Sequence, residues 1–251
     1  MNNNKFANET VVITGAGTGY GRALSIALLN SGANVVLIGR RKEKLVETIN
    51  IVKNINSNNY LIASCDITDI QSIENTINKI KNKFESVDIL LNCAALAAKK
   101  NAKLSSITEK RWDDMIDTNL KAQWIITKEV FKLMHNKIAR VLFFTSGAGW
   151  ANTNGYGLYN VSKAALNSLT ISMAEEYREN YPTKIISING INPGEANTEM
   201  NSGSKIEASV ICEMVLKIIS TKKNIPNGHF FHRNGNSIRF CDSREYQYVL
   251  E

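Results

Sequence analysis

Residues 10–29 read TVVITGAGTGYGRALSIALL. Five apolar or β-branched residues run without a polar break, then comes a glycine-rich turn with the spacing Gly15-x3-Gly19-x-Gly21, then a helix-forming stretch to about Asn30, with Gly32 in the C-terminal cap region. An unbroken apolar run of this length fits a strand buried on both faces. Glycines between such a strand and a helix let the backbone come close to a pyrophosphate, and the free amides of the helix start point at it. The spacing differs from the commoner G-x-G-x-x-G, but the physics is the same.

Outward from this unit the pattern repeats. Strands are expected at 34–39 (NVVLIG), 60–65 (YLIASC), 87–93 (VDILLNC), 140–145 (RVLFFT), 184–191 (KIISINGI) and 228–232 (GHFFH). Helices are expected over about 42–56, 69–84, 108–136, 157–179 and 206–221, the second of these capped by Thr68 or Asp69 with Ile70, Ile73, Ile77 and Ile80 on its inner face. Apolar strands alternating with helices predict an α/β fold: one doubly wound parallel sheet of about seven strands with helices on both faces, in one domain over 1–251. Ligands of such sheets bind at the carboxyl ends of the strands. The residues just after each strand are therefore the candidates.

Bulk properties set the frame. The 251 residues are 43% hydrophobic and 21% charged, with no apolar run near the roughly eighteen residues of a membrane span. The polar start MNNNKFANET has no apolar signal core, so a cytosolic protein is expected. Cys65, Cys93, Cys212 and Cys241 lie far apart and give no support to a zinc site or a disulfide frame. The net charge of +7 hints at anionic partners, but the lysines are scattered and no basic run interleaves with aromatics, so a nucleic-acid partner is not expected. A phosphorylated cofactor or substrate is the simpler account.

After the second strand come Gly39, Arg40 and Arg41. An acid here would suit an unphosphorylated adenosine ribose; two guanidinium groups suit a 2′-phosphate. After the third strand stands Asp66-Ile67, whose carboxylate could accept the adenine amino group. After the fourth come Asn92, Cys93, Ala94 and Ala95, small enough to leave room for a ring system. After the fifth comes Ser146, thirteen residues before Tyr159, and after the sixth Pro193-Gly194 with Thr198 beyond. Tyr159 and Lys163 are one helical turn apart and share a face. An ammonium beside a phenol favours the phenolate, so the Tyr159 pKa is expected to fall toward neutrality.

Taken together, these motifs resemble the short-chain dehydrogenase/reductase family in its single-domain branch, a Rossmann-type fold. TGAGTGYG (14–21) is similar to its T-G-x-x-x-G-x-G, NCAA (92–95) to its N-N-A-G with two substitutions, Asn119 in DTNLKA to its structural and catalytic Asn, Ser146…Tyr159-x-x-x-Lys163 to its catalytic set, and NPGEANT (192–198) to its P-G-x-x-x-T. The resemblance covers about residues 8–235.

It implies an NADP(H)-dependent oxidoreductase of the carbonyl reductase/alcohol dehydrogenase type, with NAD(H) the less favoured cofactor. Tyr159 would be the general acid/base, Lys163 would hold the nicotinamide ribose, Ser146 would bond the carbonyl oxygen, and Asn119 would support a water path. The cofactor would be held by Gly15, Thr18, Gly19, Tyr20, Gly21, Arg40, Arg41, Asp66, Ile67, Asn92, Ala94, Tyr159, Lys163, Pro193, Gly194 and Thr198. Ala95, Ala148, Tyr156 and Glu195 would face the substrate, a small-molecule or carrier-bound carbonyl compound. The rival functions are a 3-oxoacyl-[acyl-carrier-protein] reductase and a non-catalytic cofactor-sensing protein. A homodimer or homotetramer is implied, paired through the helices of 108–136 and 157–179. The substrate lid, 195–205, is short, which predicts an open pocket unless the tail after Gly235 covers it.

Overall fold

The computed structural model describes residues 4–53, 55–98 and 103–238. Eight strands form one sheet: β1 (Thr10–Thr14), β2 (Asn34–Gly39), β3 (Tyr60–Ser64), β4 (Ile89–Asn92), β5 (Ile138–Phe144), β6 (Ile185–Asn192), β7 (Phe230–His232) and β8 (Ser237–Ile238). Their order is β3-β2-β1-β4-β5-β6-β7-β8, parallel throughout β3 to β7, with β8 antiparallel at the edge. The parallel sheet is the expected one. The two-residue β8 is an addition, too short to leave a periodic signal.

The order reverses between β1 and β4, which pair directly from Val11–Ile89 to Thr14–Asn92. That is where a crevice opens in a doubly wound sheet. Alternation along the strands feeds two cores. Val12, Val36 and Leu90 face α3 (Ile70–Lys83), α5 (Ala122–Phe131) and α7 (Leu158–Asn180), while Val11, Ile13 and Leu37 face α1 (Gly19–Leu29), α2 (Lys42–Ile51) and α8 (Ile211–Ile219). Each such apolar side chain, fully buried, contributes about 1.5–3 kcal/mol against the chain entropy it loses.

Several expectations are corrected. The helix from Lys42 stops at Ile51, where Val52 turns to extended backbone. Asp69, not Thr68, caps α3, accepting from the amides of Gln71 and Ser72. Ile70 is 56% exposed rather than inward, because it opens the helix at its free end; Ile73 and Ile80 are fully buried. The single helix expected over 108–136 is α4 (Glu109–Ile116), a π-helical turn at Asp117–Lys121, and α5, which ends at Phe131. Beyond α5, the Lys184 ammonium takes over the end of the chain turn by donating to the carbonyls of Met134, His135 and Asn136. Among the described residues no helix is long and apolar enough to cross a membrane.

Candidate active site

The glycines after β1 are required by space. A Cβ on Gly21 would lie 2.3 Å from the carbonyl oxygen of Gly15, and one on Gly15, whose φ is +68°, would lie 3.0 Å from the Ala94 backbone. The loop after β1 thus touches both its own helix and the loop after β4. Between them opens a cleft of about 270 Å³. Of the residues expected to hold a cofactor, Gly15, Thr18, Gly19, Tyr20, Gly21, Arg40, Arg41, Asp66, Ile67, Ala94 and Thr198 line it, as does Ala95.

The 195–205 segment forms turns and two isolated bridges, Asn197 to Glu207 and Thr198 to Asn201, with no helix. It folds toward the glycine loop. The Tyr20 hydroxyl donates to the carbonyl of Gly194 at 2.9 Å, and a Cβ on Gly19 would meet Thr198 Cγ2 at 3.1 Å. Burial pushes the Tyr20 phenol up to about 12, so it stays protonated.

The second group sits at the ends of β5 and β6. Gly149 lets the helical turn α6 (Ala148–Ala151) press on α7: an added Cβ there would meet the Lys163 carbonyl at 2.8 Å. This packing brings the Ser146 hydroxyl close enough to the Tyr159 phenol to act on its protonation. Lys163 is 3% exposed, and its ammonium donates to the Phe144 carbonyl at 2.6 Å and lies 5.7 Å from the centre of the Tyr159 ring.

Burial pulls the Lys163 ammonium down to about 8, an effect that Cys93 partly opposes. Burial raises Tyr159 above its ordinary value, against the pull of the Ser146 hydrogen bond. The expectation that Lys163 lowers the phenol toward neutrality is therefore corrected. Desolvation dominates at the phenol, and the ammonium is turned to the Phe144 carbonyl and the ring. Tyr159 in this structure is a protonated phenol.

Other expected residues fall in different places. Asn119 is fully buried in the π-helical turn; its Oδ1 accepts from the Leu96 amide at 2.7 Å, and its Nδ2 donates to the Leu96 carbonyl at 3.1 Å and to Ser162 Oγ at 3.2 Å. Its side chain fastens the loop after β4 to α7. Asn92 points inward, donating to Thr127 Oγ1 at 2.9 Å, and is not in the cleft. Pro193, Gly194, Tyr159 and Lys163 do not line the cleft, and Gly194 is tied to it through the Tyr20 hydroxyl, which donates to its carbonyl. Ala148 is buried under α7, Tyr156 stacks edge-on to Tyr159 with ring centres 6.0 Å apart, and the Glu195 side chain is exposed. A more open groove of about 720 Å³ starts at Asn160 and Val161 and runs to Lys103 and Leu104. The tail proposed as cover lies, from residue 239, outside the described residues.

Two residues were missed. Glu199 lines the cleft and pairs with Arg41 at 2.6 Å. Arg233 donates to the Glu195 carbonyl at 2.7 Å and packs on Gly194. Arg233 follows directly on β7, so the strand-end rule would have found it. Nothing in the sequence pairs Glu199 with Arg41.

The family profile of the short chain dehydrogenases matches residues 9–208. The chain belongs to the short-chain dehydrogenase family. A 3-oxoacyl-[acyl-carrier-protein] reductase of Rickettsia bellii is 30% identical over 246 residues, 97% of this chain and 92% of that one. Among solved structures, a short chain dehydrogenase of Pseudomonas syringae superposes with a TM-score of 0.84 at 23% identity, covering 92% of this chain and 97% of its own. Another, from Shigella flexneri 2a in complex with NADP, gives 0.81 at 21% identity over 92% and 99% of the two chains. At such identities the likeness of the two structures is one of fold. Family membership makes the chain an oxidoreductase on a Rossmann-like sheet.

Proposed function

We propose that this short-chain dehydrogenase is an NADP(H)-dependent enzyme acting on a carbonyl/hydroxyl pair, chiefly as a reductase. The observation that carries the reading is the Ser146–Tyr159–Lys163 group, whose buried lysine lies within electrostatic reach of Cys93 on the wall of a glycine-lined cleft that carries Arg40 and Arg41 in place of an acid.

The residues present fit a dinucleotide. The backbone of Gly15, Gly19 and Gly21 admits the close approach of a pyrophosphate, with Thr18 and Thr198 beside it, and Arg40 suits a 2′-phosphate. Asp66 retains one carboxylate oxygen for an amino donor, since Oδ1 already accepts from the Thr68 amide and hydroxyl. When bound, the nicotinamide supplies the hydride. The chain's own residues manage the proton and the charge.

Tyr159, held protonated by burial, gives its proton to the substrate oxygen, which is the demand of reduction rather than oxidation. The Ser146 hydroxyl stabilises negative charge developing on that oxygen. Lys163 remains mostly charged at neutral pH even with its pKa near 8, and favours the Tyr159 phenolate left after transfer. Asn119 acts through position, fixing the β4 loop against the helix that carries Tyr159 and Lys163.

The test is turnover of a broad carbonyl panel with NADPH and NADH. Tyr159→Phe is expected to lower turnover at least about a hundredfold with cofactor affinity nearly intact, since it deletes a proton donor and little volume. Near-normal reduction by that variant would remove Tyr159 from its role.

A second reading is a 3-oxoacyl-[acyl-carrier-protein] reductase. The Rickettsia relative and the net charge of +7, suited to an acidic carrier, favour it. Faster turnover of a carrier-linked 3-oxoacyl substrate than of free ketones would decide for it. A homodimer or homotetramer belongs to the same proposal: Trp112 on α4 and Trp124 on α5 are each 43% exposed, and Val161 on α7 is 39% exposed.

A further inference from the structure

The charged groups around the β2 end of the cleft are unevenly matched. Arg22 and Lys44 both bond Glu47, at 3.0 and 2.8 Å. Arg41 bonds Glu199 at 2.6 Å, with both side chains about half exposed, 52% and 53%. Among the described residues, no hydrogen bond or ion pair engages the guanidinium of Arg40. The cleft therefore offers one uncommitted cation, Arg40, and a second, Arg41, already held by a carboxylate that itself lines the cleft.

Glu199 comes from the lid and Arg41 from the loop after β2, 158 residues away in sequence. Glu199 is aimed there by its own turn, which is closed by the Thr198 to Asn201 bridge and rests on the glycine loop through Thr198 and Gly19. A carboxylate at this place does two things to an incoming phosphate. It occupies part of the guanidinium that would bind it, and it repels the phosphate charge. An exposed ion pair is weak and open to exchange, and a guanidinium prefers a phosphate dianion to a single carboxylate. The uncharged 2′-hydroxyl of an unphosphorylated cofactor neither displaces Glu199 nor is repelled by it.

We propose that Glu199 is a specificity-determining residue that competes with the 2′-phosphate for Arg41, so that it restrains NADPH binding selectively and its lid is released from the β2 loop only by the phosphorylated cofactor. This rests on the NADP(H) reading above. Arg40 then sets the basal preference, and the Glu199–Arg41 pair sets how far it falls short of what two arginines could give.

The experiment measures dissociation constants of the full chain for NADPH and NADH by nicotinamide fluorescence, in the wild type, Glu199→Gln, Arg41→Ala and the double variant. Wild-type constants test the cofactor reading; the variants test Glu199. Glu199→Gln is expected to tighten NADPH about three- to tenfold, the range for release of an exposed pair and its repulsion, and to change NADH by less than about twofold. The gain should shrink markedly when Arg41 is already Ala, leaving only the part due to charge repulsion. An unchanged or weaker NADPH affinity in Glu199→Gln, an equal gain for NADH, or a gain undiminished in the Arg41→Ala background would overturn the proposal. Equal wild-type affinities together with a selective gain in Glu199→Gln would overturn the cofactor reading and uphold the competition.

Discussion

Lys163→Met should make the protein more stable at neutral pH while removing its activity. Lys163 is buried, and among the described residues its ammonium meets the Phe144 carbonyl and the Tyr159 ring but no carboxylate. The fall of its pKa from the ordinary 10.5 to about 8 reflects the strain of holding that charge in the interior. At about 1.4 kcal/mol per pH unit it corresponds to about 3–4 kcal/mol. Methionine has nearly the same length, fills much of the same space and needs no water. It leaves the Phe144 carbonyl without its donor, at a loss of about 1–2 kcal/mol. The net gain is about 1–3 kcal/mol, or about 2–12 °C in Tm for a chain of this size.

The pH dependence separates this account from general repacking. With a folded pKa of about 8 and an unfolded one of 10.5, the unfolded chain holds more protons between those values, so wild-type stability rises across that window. Below it, the lysine is charged in both states and the full burden is present. The advantage of Lys163→Met should therefore be constant below about pH 8 and shrink steadily above it. Calorimetric melting at about pH 7 and about pH 9.5 reads both quantities. A variant less stable than wild type at neutral pH, or an advantage of the same size at both, would refute the reasoning.

Gly21→Ala should weaken ligand binding in the cleft and lower stability by about 1–3 kcal/mol or more, because the clash is with the backbone of Gly15 at 2.3 Å and no side chain can move aside; a variant melting within about a degree of wild type would contradict the packing described. Asn119→Ala should lower turnover through the loop it holds, and limited proteolysis gives the second readout, faster cleavage near Leu96 in the variant. Light scattering at micromolar concentration should report a dimer or tetramer, and replacing both Trp112 and Trp124 by polar residues should shift it toward monomer if the helices α4, α5 and α7 form the contact.

Much of the sheet was legible because its strands carry the signal of burial on both faces: VVI, VVLI and ILL have no other place to go. Helix ends were less so. The stop at Ile51 and the π-helical turn at Asp117–Lys121 depend on tertiary contacts, such as Asn119 reaching Leu96, which periodicity does not encode. At the site, one helical turn put Tyr159 and Lys163 on a shared face, and the family resemblance joined Ser146 at a strand end to them. The sign of the Tyr159 shift was misjudged, because a sequence shows that an ammonium is near but not how much water the pair loses. Asn92 misled for a similar reason: its position at a strand end is right, and its side chain turns to the other layer to meet Thr127. Glu199 was invisible because its partner lies 158 residues away.

The walls of the cleft come from loops after β1, β2, β3 and β4 and from the lid, and the Tyr20–Gly194 bond that joins the first to the last spans 174 residues. Contacts of such separation form late, after the intervening loops have been closed. A molecule that fits this cleft therefore recognises only the finished fold, and by mass action it draws the chain out of its unfolded population. At a hundred times its dissociation constant it adds about 2.7 kcal/mol. The concentration of that molecule then sets how much of the chain is unfolded at any moment and open to proteolysis.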